Sequence, residues 1–295
     1  MDFQQLRYFC AVARLGSFTR AADELDVSQP SLSEGLKKLE ASLGAGLFER
    51  LGRSIKLTPR GESLLPLAQQ ILLDVAGARR IVESYSTALP SGKLTVGCIP
   101  SILPYLIAPS VASFLKEFPQ VELDLVEDLT LRLMEQLQSG VLDLAIVGLP
   151  VKNPDLICAE ILREPLLLAA GKNSSWAGRK EVKLKELSAE RILLLKEGHC
   201  FREEALSVCK RAKLMVSPAF EGDQLSSILP LAASGYGVGI VPRMAANSDS
   251  GCVFIPISPS GERRVGYIKL RRHTTTPAER YFIQWLRALG KKHST

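Results

Sequence analysis

Three helical patterns follow one another within the first sixty residues. Leu6, Phe9, Cys10 and Ala13 recur at the spacing of one helix face over Phe3 to Leu15, and Gly16 closes the segment. Ala21, Ala22 and Leu25 mark a second, shorter helix over roughly Thr19 to Leu25. Ser28 is a good N-cap, and Pro30 falls in a first turn where its missing N–H costs little. Leu32, Leu36, Leu39 and Leu43 then line one face of a third helix. Two short helices joined by a tight polar turn and buried by alanines and leucines predict a helix-turn-helix.

The face opposite those leucines carries Pro30, Glu34, Lys37 and Lys38, flanked by Ser31 and Ser33. The N-terminal part of such a helix reaches base edges, and small polar residues permit the approach. Taken alone, the segment could equally be an ordinary solvated helix face. Downstream, Arg50, Arg53, Lys56 and Arg60 follow an extended stretch with Gly52 at its turn and Ile55 and Leu57 alternating. That pattern predicts a two-stranded wing whose cations lie along phosphates, and the combination favours double-stranded DNA. The candidate contact set is Ser28, Gln29, Pro30, Ser31, Ser33, Glu34, Lys37, Arg50, Arg53 and Lys56. Glu34 cannot hold a phosphate but can accept from a cytosine amino group.

Thr58 before Pro59 starts a longer helix, along which Leu64, Ala68, Ile71, Val75, Ala78, Val82 and Tyr85 form a three-heptad seam. Pro66 should kink it or hold its first turn apart. A helix packed on its own domain would carry the same pattern, but pairing would place two reading helices on one operator. Leu89-Pro90-Ser91-Gly92 reads as a hinge. The expected division is a DNA-binding domain over 1–58, a linker and dimerisation helix over 59–90, and a sensing domain over 91–295.

Beyond the hinge, strands and helices alternate: Lys93 to Ile99, helix Leu103 to Phe118, Val121 to Glu127, helix Thr130 to Ser139, Leu142 to Val147. That order predicts a parallel α/β sheet, with ligands at the carboxyl ends of strands near Pro100-Ser101 and Asp128 to Thr130.

The 295 residues suffice for two cores, and 46% hydrophobic with 23% charged residues is a globular balance. The net charge of +6 is compatible with nucleic acid but weak by itself. The longest apolar run, Ile228 to Val241, is too short for a membrane span and holds three glycines; no secretory leader is expected, and the expected location is cytoplasmic. The six cysteines then read as thiols, and Cys10, Cys98, Cys158 and Cys252 as small buried core residues.

Cys200 and Cys209 are different. His199 and Arg202 flank Cys200, which falls at the start of a helix running to about Lys213, and each of these features can lower a thiol pKa. Cys209 shares a face with Ala205, Leu206 and Ala212 and reads as buried. If both are helical, nine residues separate them by roughly 13.5 Å of rise, against the ~7 Å a disulfide tolerates. A bridge would require that segment to melt. Spacing alone favours two unrelated thiols, since cysteines nine residues apart occur often.

Across the first module, Ser17-Phe18-Thr19-Arg20-Ala21-Ala22, Val27-Ser28-Gln29-Pro30-Ser31-Leu32-Ser33, Lys38-Leu39-Glu40, Leu43-Gly44, Leu47-Phe48-Glu49-Arg50 and Leu57-Thr58-Pro59-Arg60-Gly61 resemble the DNA-binding signature of LysR-type transcriptional regulators. Glu34 and Gly35 depart from relatives that carry Arg or Gln there, and Gly35 weakens the helix by up to about 1 kcal/mol relative to Ala. Ser139-Gly140, Leu142 to Ile146 and Gly235 to Pro242 resemble the family's effector domain. The resemblance implies an N-terminal all-α winged helix-turn-helix with a long linker helix. It also implies a C-terminal α/β domain of periplasmic-binding-protein type, whose two subdomains cross near 163–166 and 266–269. Homodimers pairing into homotetramers and contact with RNA polymerase are the corresponding partner expectations.

Gly198-His199-Cys200, Arg202 and Cys209 resemble the sensor loop of the peroxide-responsive, OxyR-like subgroup. That likeness implies that Cys200 is peroxidatic, that Cys209 resolves it, and that Ser101, Thr130, His199 and Arg264 form the peroxide pocket. Ser101 keeps the hydroxyl of the subgroup's threonine without its methyl, and Glu203 and Glu204 add negative charge that could slow thiolate formation. A small metabolite in the subdomain cleft is the alternative effector. No cofactor or metal is expected. An enzyme using His199 beside Cys200 is disfavoured, because the DNA-reading module would be idle and adjacent residues rarely place a base against its nucleophile.

Overall fold

The computed structural model describes residues 1–51, 54–84 and 90–293. Arg53, Tyr85 and Leu89 fall outside the described residues, as does the Gly52 turn. Contacts divide the chain into Met1–Glu83 and Ser84–Thr295.

In the first unit, α1 (Phe3–Leu15) is capped by Asp2, whose side chain accepts from the Gln5 N–H. Ser17 caps α2 (Phe18–Glu24), and Ser28 caps α3 (Gln29–Leu43) by accepting from the Ser31 N–H. Leu32, Leu36 and Leu39 are buried against Phe9 and Val12. β1 (Phe48–Leu51) and β2 (Ser54–Leu57) form the antiparallel wing in the register Phe48 to Leu57. Phe48 anchors the wing, its ring 5.5 Å from Phe9 and 5.9 Å from Phe18.

Gly35 has a packing reason. A Cβ there would stand 2.7 Å from the ring of Tyr8, which accepts a 2.7 Å hydrogen bond from Gln4. The helix propensity lost at Gly35 is therefore exchanged for a close approach of α1 to α3. Gly35→Ala is expected to destabilise this unit by about 1–2 kcal/mol, overpacking outweighing the propensity gain. Urea denaturation followed by far-UV circular dichroism checks it, and an unchanged or raised midpoint would mean that Tyr8 simply gives way.

The linker helix α4 (Pro59–Ser84) runs through Pro66 without ending. Its seam is divided. Leu64, Ala68 and Ile71 pack on the core of their own unit, whereas Val75 is half-buried and Ala78 and Val82 are exposed.

In the second unit, β3 (Gly92–Cys98), β4 (Val121–Glu127) and β5 (Leu144–Leu149) are parallel, as the alternation predicts. The helix expected over Leu103 to Phe118 is broken instead into a π-turn at Leu103–Ile107 and α5 (Val111–Glu117). Pro109 lacks the N–H a continuous helix needs, whereas Pro104 sits in the first turn where its missing N–H costs little. α6 (Thr130–Gln138) follows β4.

The sixteen-residue β6 (Leu156–Gly171) threads both subdomains. β7 (Val182–Lys183), β8 (Ile192–Leu195), α7 (Cys200–Arg211), β9 (Pro218–Gly222), α8 (Leu225–Ala233), β10 (Val238–Pro242) and β11 (Cys252–Ser258) build the second subdomain. β12 (Glu262–Leu270) and α9 (Pro277–His293) return to the first. The sheet is mixed, because β12 pairs antiparallel with β5 and β6, and β6 antiparallel with β10 and β11.

β6 changes partners from β12 to β10 between Pro165 and Leu166, within the outward crossing expected. The return crossing is corrected. It lies between Ser258 and Glu262 rather than at 266–269, since all of β12 already pairs within the first subdomain. Cys98 and Cys252 are buried and Cys10 half-buried, but Cys158 is exposed, because alternation along β6 turns it outward.

Candidate functional site

The carboxyl ends of β3, β4 and β8 converge on one recess, lined by Ile99, Pro100, Ser101, Leu129, Thr130, His199 and Cys200. It holds about 170 Å³ of empty space, its open mouth included. Both subdomains contribute: the segments after β3 and β4 from the first, and the start of α7 from the second.

His199 is the N-cap of α7 and Cys200 its first residue, so the thiol sits at the positive end of a twelve-residue helix. Sγ rests against β5, 3.1 Å from where a Cβ on Gly148 would lie. Any larger residue at 148 would displace the thiol, a requirement that strand patterning does not reveal.

Thr130 Oγ1 is buried without a hydrogen-bond partner among the described residues. Such an atom is costly unless something in the recess satisfies it. Burial lowers the His199 pKa, with Asp223 acting in the opposite sense. A neutral imidazole therefore lines the recess.

Two expected cations are placed differently. Arg202 is buried but turned from the thiol, donating to the Leu195 carbonyl and pairing with Glu221, so it ties α7 to β8 and β9. Arg264 points to the other face of β12, half-buried and within the field of Glu160. The arginine that reaches the pocket is Arg263. It is fully buried, donates from Nη2 to the Ser101 hydroxyl at 2.6 Å and from Nη1 to the Ser101 carbonyl at 3.2 Å, and lies 5.0 Å over the Phe201 ring. Parity was the available signal, since Arg263 shares its strand face with the buried Val265.

Beside Arg263 stand two carboxylates that sequence reasoning did not place there. Glu164 Oε1 is 3.7 Å from Arg263 Nη1, and Glu204 Oε2 is 3.3 Å from Nε. Burial raises the Glu164 pKa against the pull of Arg263. Burial pushes Glu204 up to about 7, with Arg263 opposing and Glu164 reinforcing.

Cys209 is buried on the same helix, and burial pushes its thiol up to about 11. All six cysteines are free. Nine helical residues keep Cys200 and Cys209 roughly 13.5 Å apart along the axis of α7.

On the first unit, Ser28, Gln29, Pro30, Ser31, Glu34 and Lys37 are exposed on one face of α3, and Ser33 is half-buried. Glu34 pairs with Lys38 at 2.7 Å, leaving Lys37 the freer cation for a phosphate. Lys56 is exposed on β2, while the Arg50 side chain and Arg53 lie outside what is described.

Residues 3–62 match the bacterial regulatory helix-turn-helix protein, lysR family, and residues 87–291 match the LysR substrate binding domain. The chain belongs to the LysR family. A LysR protein is a DNA-binding transcriptional regulator rather than an enzyme, and an exposed reading helix beside a wing agrees with that. Among relatives, the Escherichia coli DNA-binding transcriptional dual regulator OxyR is 33% identical over 91% of this chain and 89% of its own length. A cysteine-to-aspartate variant of full-length OxyR from Pseudomonas aeruginosa superposes with a TM-score of 0.75 at 30% identity, covering 99% of this chain and 95% of that one. A cysteine-to-serine mutant of Corynebacterium glutamicum OxyR, with hydrogen peroxide bound, superposes with a TM-score of 0.62 at 29% identity, over 99% and 95%. In this LysR regulator no helix among the described residues is long and apolar enough to cross a membrane.

Proposed function

We propose that this LysR regulator senses hydrogen peroxide through a reversible Cys200–Cys209 disulfide. The observation that carries the reading is the recess itself, where the Cys200 thiol at a helix N-terminus faces the unpartnered Thr130 hydroxyl. Its tightness supports a very small ligand, since the recess leaves no clear room for a water-sized sphere whereas pockets for ordinary metabolites run to roughly 300–1,000 Å³. The likeness to OxyR proteins, one of them carrying bound peroxide, favours the same ligand here.

The chemistry runs in two steps. The Cys200 thiolate attacks one peroxide oxygen and the O–O bond breaks, leaving a sulfenic acid and, with one proton taken up, water. Cys209 then attacks that sulfur, forming the S–S bond, and its thiol proton leaves with the sulfenic hydroxyl as a second water. Cys209 is too buried to react first, and its thiol is held protonated. Closing the bridge unwinds α7, which turns a local oxidation into a change of order.

We propose Ser101, Thr130 and His199 as the peroxide contacts, with Arg263 holding Ser101 in place of the role first expected for Arg264. The α3 face with Lys56, Arg50 and Arg53 is the proposed DNA surface, in the 1–58, 59–90 and 91–295 division. The exposed Val82 end of the seam supports pairing of linker helices, with homotetramers, RNA polymerase contact and a cytoplasmic location following from the family reading.

Peptide mapping by mass spectrometry, before and after stoichiometric peroxide, tests the reading. A Cys200–Cys209 bridge formed within seconds is the expected result. Thiols that persist would overturn it and turn attention to a metabolite.

A further inference from the structure

We propose that Glu204 shares one proton with Cys200, accepting it as the thiol becomes the attacking thiolate and returning it to the oxygen that leaves the peroxide. This rests on the peroxide-sensing reading and deepens it.

Glu204 lies one turn beyond Cys200 on α7, so both side chains project from the same helix face. Both meet the same spot on β5: the Cβ position that Gly148 lacks is 2.7 Å from Glu204 Oε1 and 3.1 Å from Cys200 Sγ. The other carboxylate oxygen faces Arg263 Nε at 3.3 Å.

The charges in this pocket do not balance if every acid ionises. β12 offers one guanidinium, Arg263, and β6 offers Glu164, whose Oε2 accepts from the Met244 N–H. Cys98, at the end of β3, is fully buried and its thiol is pushed well above its ordinary range, so it stays neutral. Ser101 and the His199 imidazole add no charge, and β5 presents only the backbone of Gly148. A thiolate at Cys200 would be a third anion around the one guanidinium that meets both carboxylates; His293 and Arg243 pull on Glu164 alone of the two. Like charges this close in a buried site do not both form; one group keeps the proton. Glu204, held up to about 7 by burial, is poised to be that group.

The proton balance closes. Sγ–H gives its proton to the Glu204 carboxylate, and the sulfur lone pair attacks one peroxide oxygen. The O–O electrons leave with the other oxygen, which takes the proton from the Glu204 carboxyl to become water. The products are the Cys200 sulfenic acid and the regenerated carboxylate.

Two reagents separate this role from a structural one. Iodoacetamide needs the thiolate but no proton for its leaving iodide, whereas peroxide needs both. Rates of each at Cys200 are measured from pH 5.5 to 9 on the full-length protein carrying Cys209→Ser. Glu204→Gln should move the alkylation midpoint down by about one pH unit, because a neutral amide no longer opposes the thiolate. Its peroxide rate per thiolate should fall roughly 10- to 100-fold. Glu204→Asp should recover part of that rate, and it keeps the test open if the glutamine variant misfolds. Equal changes with both reagents, or no change with either, overturn the proposal. A wild-type chain inert to peroxide overturns the sensing reading and the proton return with it, whereas a glutamine variant oxidised as fast as a reactive wild type overturns only the role of Glu204.

Discussion

Cys200→Ser is expected to abolish the oxidised form: after peroxide, Cys209 stays a free thiol and no intramolecular bridge appears in the peptide map. The reason is an asymmetry between two thiols of one helix. Cys200 borders the recess at the first residue of α7, against the Gly148 backbone, while Cys209 is buried and pushed up to about 11. The reciprocal Cys209→Ser variant should still form a sulfenic acid at Cys200. In the wild type, bridge formation must draw together Cα atoms that α7 holds roughly 13.5 Å apart, to within about 7 Å. Oxidation should therefore lower the far-UV helical signal by two or more turns. An undiminished disulfide yield in Cys200→Ser would remove Cys200 from its role, and a bridge formed without loss of helix would contradict the unwinding of α7.

Arg263→Met should cost about 3–5 kcal/mol of stability at pH 9, because it leaves half-buried Glu204 without its cation and buried Glu164 with only the weaker pull of His293 and Arg243. The loss should shrink towards pH 5.5. Burial raises both carboxyls, Glu204 to about 7, so in acid they bind protons in the folded state and have less need of a partner. The loss grows as pH rises above about 7, where Glu204 ionises beside Arg263 in the wild type while the variant's carboxyl, without that pull, keeps its proton to higher pH. Arg264→Met, on the other face of the strand, should change stability by no more than about 0.5 kcal/mol. Urea denaturation at the two pH values separates them. Equal effects for the two arginines would refute the assignment of Arg263 to the pocket, and a pH-independent loss would exclude the carboxylates as its cause.

Local chemistry was written in the sequence wherever an element depends on its own residues. Asp2, Ser17 and Ser28 cap α1, α2 and α3, the leucines of α3 face the core, and the wing pairs around Phe48, as pattern and cap rules require. Pro109, which stands where the helix after β3 breaks, was legible too, but the helix was read straight through it over Leu103 to Phe118. Ser101 and Thr130 could be read as neighbours because ligands gather at the carboxyl ends of parallel strands, whereas His199 and Cys200 joined them only through the family resemblance; all four line the recess.

What the chain alone determined is thus the helix-turn-helix, the three parallel strands up to Leu149, the family, and the helix bearing both cysteines. Only the tertiary structure decided which arginine serves the pocket, where β12 returns, how the linker seam divides, and that Gly35 and Gly148 make room for Tyr8 and for Cys200. It also placed Glu164 and Glu204 around one buried guanidinium. These features depend on contacts between residues far apart in the chain, such as Arg263 with Ser101, and on which strand face meets the core. Periodicity within one segment carries neither kind of information, because a side chain's charge and reactivity are set by the neighbours that the fold brings to it.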